Sequence, residues 1–223
     1  MKDLAIIVQG QSSYLEILKK SLTGLNVIYS TWVGEENKYS NNDIVIFNEK
    51  PKHPGPSNFN FQITSTIAGL KKAKGLGFKK SLKLRSDIAP TNAHEFIKLL
   101  NNDKLNFLCW HCHEVYPKCP GYLVDYLMSG DIDDLIELFN IQDTSWCSVP
   151  EIYLTHQYIT KLIKKTEIEY FLPKLNRDND LIWLKQNIEL SSYRNIGSYD
   201  YYKKYDFSLD KDHITDEYIK FLK

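Results

Sequence analysis

The chain has 223 residues, 43% hydrophobic and 13% aromatic, enough to bury one sizeable core and too apolar for a disordered segment. Its 28 acidic residues balance 28 basic ones, so no global field recruits DNA, RNA or an anionic membrane, which argues against a nucleic-acid binder. No run of about eighteen apolar residues is present to form a transmembrane helix, and the apolar run near Met1 is too short for a signal peptide; a cytoplasmic protein with four reduced cysteines is expected.

Leu4 to Val8 is a continuous apolar run, the mark of a strand buried on both faces, ending in the polar turn Gln9-Gly10-Gln11-Ser12-Ser13. Tyr14, Leu15, Ile17, Leu18 and Leu22 then recur at helical spacing, with Ser12 or Ser13 as the expected N-cap. A second strand spans Asn26 to Trp32, and a third spans Asp43 to Asn48 before Pro51. Three prolines between Lys50 and Ser57 make a loop. Phe61, Thr64, Ser65, Ile67, Ala68 and Leu70 share one face of a helix that ends in basic residues before Gly75 and Gly77.

Ser81 to Ile88 alternates polar and apolar residues, the period of a half-buried strand, with Lys83, Arg85 and Asp87 at spacing two and therefore on one face. Such a row is either a surface strand with paired charges or a corner built for an anion and a divalent cation. Strands alternating with helices imply a mostly parallel α/β sheet, and ligands of such sheets sit beyond the carboxyl ends of the strands. Here those ends carry Gln9-Gly10-Gln11, Ser30-Thr31-Trp32, Asn48 and Arg85-Ser86-Asp87, which favours the second reading.

Further on, a helix holding Phe96 and Leu99 leads to an expected strand from Phe107 to His113 and another from Tyr122 to Gly130, followed by helices from Asp133 to Phe139 (with Asp131 as cap) and from Pro150 to Lys165. The remainder reads as a mixed C-terminal tail with helices near Asp180 to Lys185 and Thr215 to Leu222. Cys109, Cys112 and Cys119, with His111 and His113, supply zinc-type ligands, but strand alternation splits Cys109 from Cys112, so a core or site-lining strand is preferred. Asp125, among apolar neighbours, is either a strand-end carboxylate held by backbone donors or a general base with a tuned pKa. Glu151 suits the first turn of its helix for electrostatic reasons alone, and is the second candidate base. No dinucleotide-binding GxGxxG, phosphate-loop GxxxxGK, nucleophile-elbow GxSxG or zinc-protease HExxH pattern occurs.

Ile7-Val8-Gln9-Gly10, Ser30-Thr31-Trp32, Asn58 to Gln62, Ala68-Gly69-Leu70 and Lys83 to Asp87, followed by Val124 to Gly130 and Pro150 to Leu154, resemble in order the WavE-type lipopolysaccharide synthesis proteins, glycosyltransferases of the GT-A class. The likeness covers roughly residues 4 to 165. It implies a single GT-A-like α/β domain, with residues 1–92 as nucleotide-binding half and 93–223 as acceptor half and C-terminal extension. It implies transfer of a sugar from a nucleotide-sugar donor to a glycan or lipid-linked acceptor in surface polysaccharide or lipopolysaccharide synthesis, at the inner face of the membrane without a transmembrane segment. Gln9, Gly10, Gln11 and Thr31 would hold the nucleoside. Asn60, Gln62, Lys83, Arg85 and Asp87 would hold the phosphates, and Asp125 or Glu151 would deprotonate the acceptor. Two departures stand out. Phe61 occupies a position where the family usually has Arg, and Arg85-Ser86-Asp87 replaces the metal-binding Asp-x-Asp. A manganese or magnesium ion would therefore rest on Asp87 alone, or Arg85 would supply its charge. A nucleotidyltransferase on the same sheet, or a non-catalytic carbohydrate-assembly protein, are the competing expectations.

Overall fold

The computed structural model describes residues 3–89, 93–99, 104–108, 125, 127–145, 150–162, 168–173, 194–195 and 202–205. Four parallel strands form one half of the sheet: β1 (Leu4–Gln9), β2 (Val27–Trp32), β3 (Ile44–Asn48) and β4 (Lys80–Arg85). A two-residue strand β5 (Ile88–Ala89) pairs separately with β9 (Arg194–Asn195). The main sheet continues through β6 (Leu105–Leu108), β7 (Leu127–Asp131), β8 (Ile168–Pro173) and β10 (Tyr202–Tyr205), in the order β10-β8-β6-β7-β4-β1-β2-β3. β7 runs antiparallel to both its neighbours, β4 and β6, whereas β6 and β8 are parallel to each other. The expected mixed α/β sheet, mostly parallel and flanked by helices, is thus observed.

Period-two alternation in β1 explains why it is apolar throughout. Ala5 and Ile7 face α2 (Phe59–Gly75), α4 (Ile132–Phe139) and α5 (Pro150–Gln157), while Ile6 and Val8 face α1 (Leu15–Ser21) and α3 (Ala93–Leu99). The helix α2 lies very close to the sheet at Gly69, where an added Cβ would collide with the Ile7 side chain. That approach lets the buried Ser30 hydroxyl donate to the Ser65 carbonyl at 2.6 Å.

Several expectations are corrected. Neither Ser12 nor Ser13 caps α1; Ser12–Tyr14 form a 3-10 turn, and the helix starts at Leu15 with no side-chain cap. The charged strand ends at Arg85, and Ser86 and Asp87 form a turn, so Asp87 is not a strand residue. The strand expected from Tyr122 begins at Leu127, leaving Asp125 in a turn before it, and runs on to Asp131. Asp131 makes no capping bond to α4; its carboxylate accepts instead from Lys80 at 3.1 Å. The α-helical part of the last helix stops at Gln157 and passes into a π-helical turn, Tyr158–Leu162. The Cys109–Cys119 segment and the two C-terminal helices lie outside the described residues.

Candidate active site

A cleft of about 550 Å³ opens over the carboxyl ends of β1, β2 and β4, where a doubly wound sheet places its ligands. It is lined by Gln9, Gly10, Gln11, Ser13, Tyr14, Trp32, Ser57, Asn58, Phe61, Gln62, Arg85, Ser86 and Asp87. Polar strand ends thus converge with one aromatic wall, in which Trp32 and Phe61 pack edge to face with ring centroids 5.4 Å apart.

The floor is held by a buried hydrogen-bond chain. Asn48 Nδ2 donates to Ser30 Oγ at 2.9 Å and to the Thr31 carbonyl at 2.8 Å, and Ser65 Oγ donates to Gln9 Oε1 at 2.8 Å. Ser65 thus fixes the orientation of the Gln9 amide. Gly10 is required twice over. Its φ is +121°, a region adopted almost solely by glycine, and a Cβ there would lie 2.5 Å from Ser86 Oγ. Gly10→Ala is expected to weaken ligand binding in the cleft at least tenfold, read by calorimetry, while costing about 1–3 kcal/mol of stability.

The Gln9–Tyr14 wall is tied to β2 through Glu35. Its carboxylate accepts from the Ser12 amide at 3.2 Å, from Thr31 Oγ1 and from Lys38 Nζ at 3.0 Å. Burial pushes the Glu35 carboxyl up, but these bonds outweigh it and hold it below the usual carboxylate range. The opposite wall is the start of α2, where Ser57 and Asn58 take left-handed conformations with φ of 49° and 62°. Asn58 leads the helix without a side-chain cap, so the amino end of α2 adjoins the cleft.

Charge is concentrated where β4 ends. Arg85 Nε and Nη2 donate to Asp87 Oδ1 and Oδ2 at 2.9 and 2.6 Å, a bidentate fork. Arg85 Nη1 lies 3.5 Å from Asp125 Oδ1, and that oxygen, otherwise without a hydrogen-bond partner, is deeply buried. Lys83 is completely buried; its ammonium donates to the Asp125 carbonyl and sits 5.6 Å from the Phe139 ring centroid. Burial pulls the Lys83 pKa down to about 8, against the Asp125 carboxylate, which favours the charged form. Lys83→Met is expected to cost about 1–3 kcal/mol in denaturant unfolding, because it leaves the buried Asp125 carbonyl without its donor. Glu151, in the first turn of α5, shares this field. Burial and the Asp125 carboxylate push its pKa up, and Arg85 and Lys83 offset part of the rise.

Of the residues expected from sequence, Gln9, Gly10, Gln11, Gln62, Arg85 and Asp87 line the cleft together. Thr31 does not; it is buried beneath and engages Glu35. Asn60 is turned to the neighbouring loops, donating to the His53 carbonyl at 3.1 Å and accepting from Thr144 at 2.9 Å. Lys83, Asp125 and Glu151 are not among the residues lining the cleft; they are coupled electrostatically to Arg85. Sequence reasoning passed over Tyr14, Ser57, Asn58 and the Glu35 tie. Trp32, at the end of a strand already read as site-forming, was the available signal for the aromatic wall. Among the described residues no group of three or more His, Cys, Asp or Glu side chains could hold a metal ion, and both Asp87 oxygens accept from Arg85.

No helix among the described residues is long and apolar enough to cross a membrane. No family model matches the chain, and no curated protein matches it. Among solved structures the chain is similar to a cytidylyltransferase from Leptospira borgpetersenii serovar Hardjo-bovis (strain JB197), at 12% sequence identity, over 79% of this chain and 79% of that chain, with a TM-score of 0.45.

Proposed function

We propose that this chain is a GT-A-like glycosyltransferase of the WavE type, moving a sugar from a nucleotide-sugar donor to a surface-glycan acceptor. The observation that carries this reading is an arginine, paired with Asp87 and Asp125, facing an amide- and aromatic-lined cleft, with Glu151 coupled electrostatically to that corner as the candidate base. Glycosyl transfer needs both, a cation for the departing phosphate and a base for the acceptor hydroxyl.

In this reading the nucleoside rests against Tyr14, Trp32 and Phe61, with the Gln9, Gln11 and Gln62 amides fixing its orientation. The phosphate faces Arg85 and the amino end of α2. Glu151 removes the proton from an acceptor hydroxyl, whose oxygen bonds to the anomeric carbon. The bond from that carbon to the phosphate oxygen breaks, and the nucleotide leaves with the electron pair, its growing charge met by Arg85. Asp125, held under Arg85, orients the guanidinium and raises the basicity of Glu151. Work on a lipid-linked acceptor would place the protein at the cytoplasmic face of the membrane.

Product identity tests the reading. Incubated with a panel of nucleotide-sugars and a lipopolysaccharide or capsule extract, the chain is expected to release free nucleotide in step with sugar incorporation. Release of pyrophosphate from a nucleoside triphosphate and a sugar phosphate would identify a nucleotidyltransferase instead. Nucleotide-sugar binding without turnover on any extract would identify an assembly protein.

A further inference from the structure

The corner at the end of β4 already supplies its cations with carboxylate partners. Two cations, Arg85 and Lys83, stand among three carboxylates: Asp87 and Asp125 pair with Arg85, Lys83 donates to the Asp125 backbone carbonyl, and Glu151 is coupled electrostatically to all but Asp87. Asp87 spends one oxygen on Nε and the other on Nη2 of the same guanidinium, and the pair is about three-quarters buried, with side chains 26% and 25% exposed. A divalent ion held by this carboxylate would have to open the fork and leave a guanidinium beside a double positive charge. Magnesium and manganese also require several oxygen ligands, and among the described residues Asp87 belongs to no group of three or more His, Cys, Asp or Glu side chains that could hold a metal ion.

We propose that Asp87 is a positioning residue for Arg85 rather than a metal ligand, and that the donor's phosphate is taken directly by the guanidinium, as a metal-free anion. This rests on the glycosyltransferase reading above and deepens it. Asp87 fixes the guanidinium plane at the cleft wall. An arginine carries five N–H donors, and although the fork uses two and Nη1 also faces Asp125, Arg85 lines the cleft, so the same side chain can hold both carboxylates and meet a phosphate oxygen. Because Arg85 is already offset by Asp87 and Asp125, the corner also favours donors of low charge. A diphosphate or monophosphate diester brings one or two negative charges, whereas a free triphosphate brings about four, the load that a magnesium ion ordinarily neutralises.

The full chain, titrated calorimetrically with UDP, GDP, ADP, CDP, dTDP and CMP in turn, tests this. Each titration is run once in EDTA and once in excess manganese. A nucleotide that binds is expected to do so with the same Kd, within about twofold, in both media. A Kd at least tenfold tighter in manganese would overturn the inference while leaving the glycosyltransferase reading standing. Absence of binding by all six in both media would overturn that reading itself. Asp87→Asn, whose amide cannot accept the fork on both atoms, is expected to weaken binding about tenfold equally in EDTA and manganese. If Asp87 were a metal ligand, the variant would lose only a manganese-dependent increment and match wild type in EDTA. Circular dichroism and melting check that the variant folds, and the wild-type comparison decides the question without it.

Discussion

Glu151→Gln is expected to lower kcat by about 10²–10⁴-fold, the usual contribution of a positioned general base, with little change in donor affinity. The same substitution is expected to stabilise the fold at neutral pH. Burial first, then the Asp125 carboxylate, raise the Glu151 pKa above its value in the unfolded chain. Between those two values the native state binds more protons than the unfolded state, so this residue's contribution to stability falls as pH rises through that window. Below the unfolded value the contribution is fully present. Glutamine, which never ionises, escapes the loss. Melting curves taken from about pH 4 to about pH 8 should therefore show the variant gaining on wild type as pH rises. A gap that stays constant with pH would show that Glu151 does not titrate in the folded protein as described. The acid limb of kcat/KM carries the same signature, with its midpoint above the ordinary glutamate value.

The second large effect concerns Arg85. Arg85→Ala is expected to remove nucleotide binding to below detection, at least a hundredfold loss, because it deletes the only cation lining the cleft among the described residues and strands two carboxylates beside the phosphate position. Arg85→Lys keeps the charge but cannot form the fork with Asp87, and is expected to recover only a small part of the affinity. Calorimetric titration of the two variants beside wild type reads both. Equal binding by Arg85→Ala and wild type would separate the phosphate site from this corner. The alanine variant also leaves the Asp125 oxygen without the guanidinium, so its stability should fall as well; the lysine variant provides the control for that loss.

The cleft was legible in sequence because each strand announces its own end. An apolar run bounded by Gln9-Gly10, a second closing on Trp32 and a charged strand closing on Arg85 are local patterns, and parallel topology brings such ends to one edge. What local pattern does not carry is which neighbour covers a strand. Period two placed Lys83 and Arg85 on one face correctly, yet Lys83 is not at the ligand edge. It lies one turn of the pleat further in, where Phe139 of α4 closes over it, and that helix is distant in sequence. Asp125 was misread for a related reason. Its apolar flanks resemble the strand they precede, and the antiparallel register that stops at Leu84 opposite Leu127 is what drops the preceding turn beside Arg85. No single-sequence signal fixes that register. The Glu35 tie was illegible because an exposed-looking acidic segment becomes structural only once β1 and β2 are side by side. The displacement of Asn60 from the cleft follows from the loop before α2, where Pro54 accepts its amide and His53 its side chain.

The most direct test of the nucleotide cleft is a melting titration of the full chain with the nucleoside diphosphate panel. A ligand that binds the native state alone is expected to raise Tm by about 5–10 °C at a hundred times its Kd, with Arg85→Ala showing no rise. No shift with any nucleotide in wild type, or an equal shift in Arg85→Ala, would contradict the assignment of this cleft as a nucleotide-sugar site.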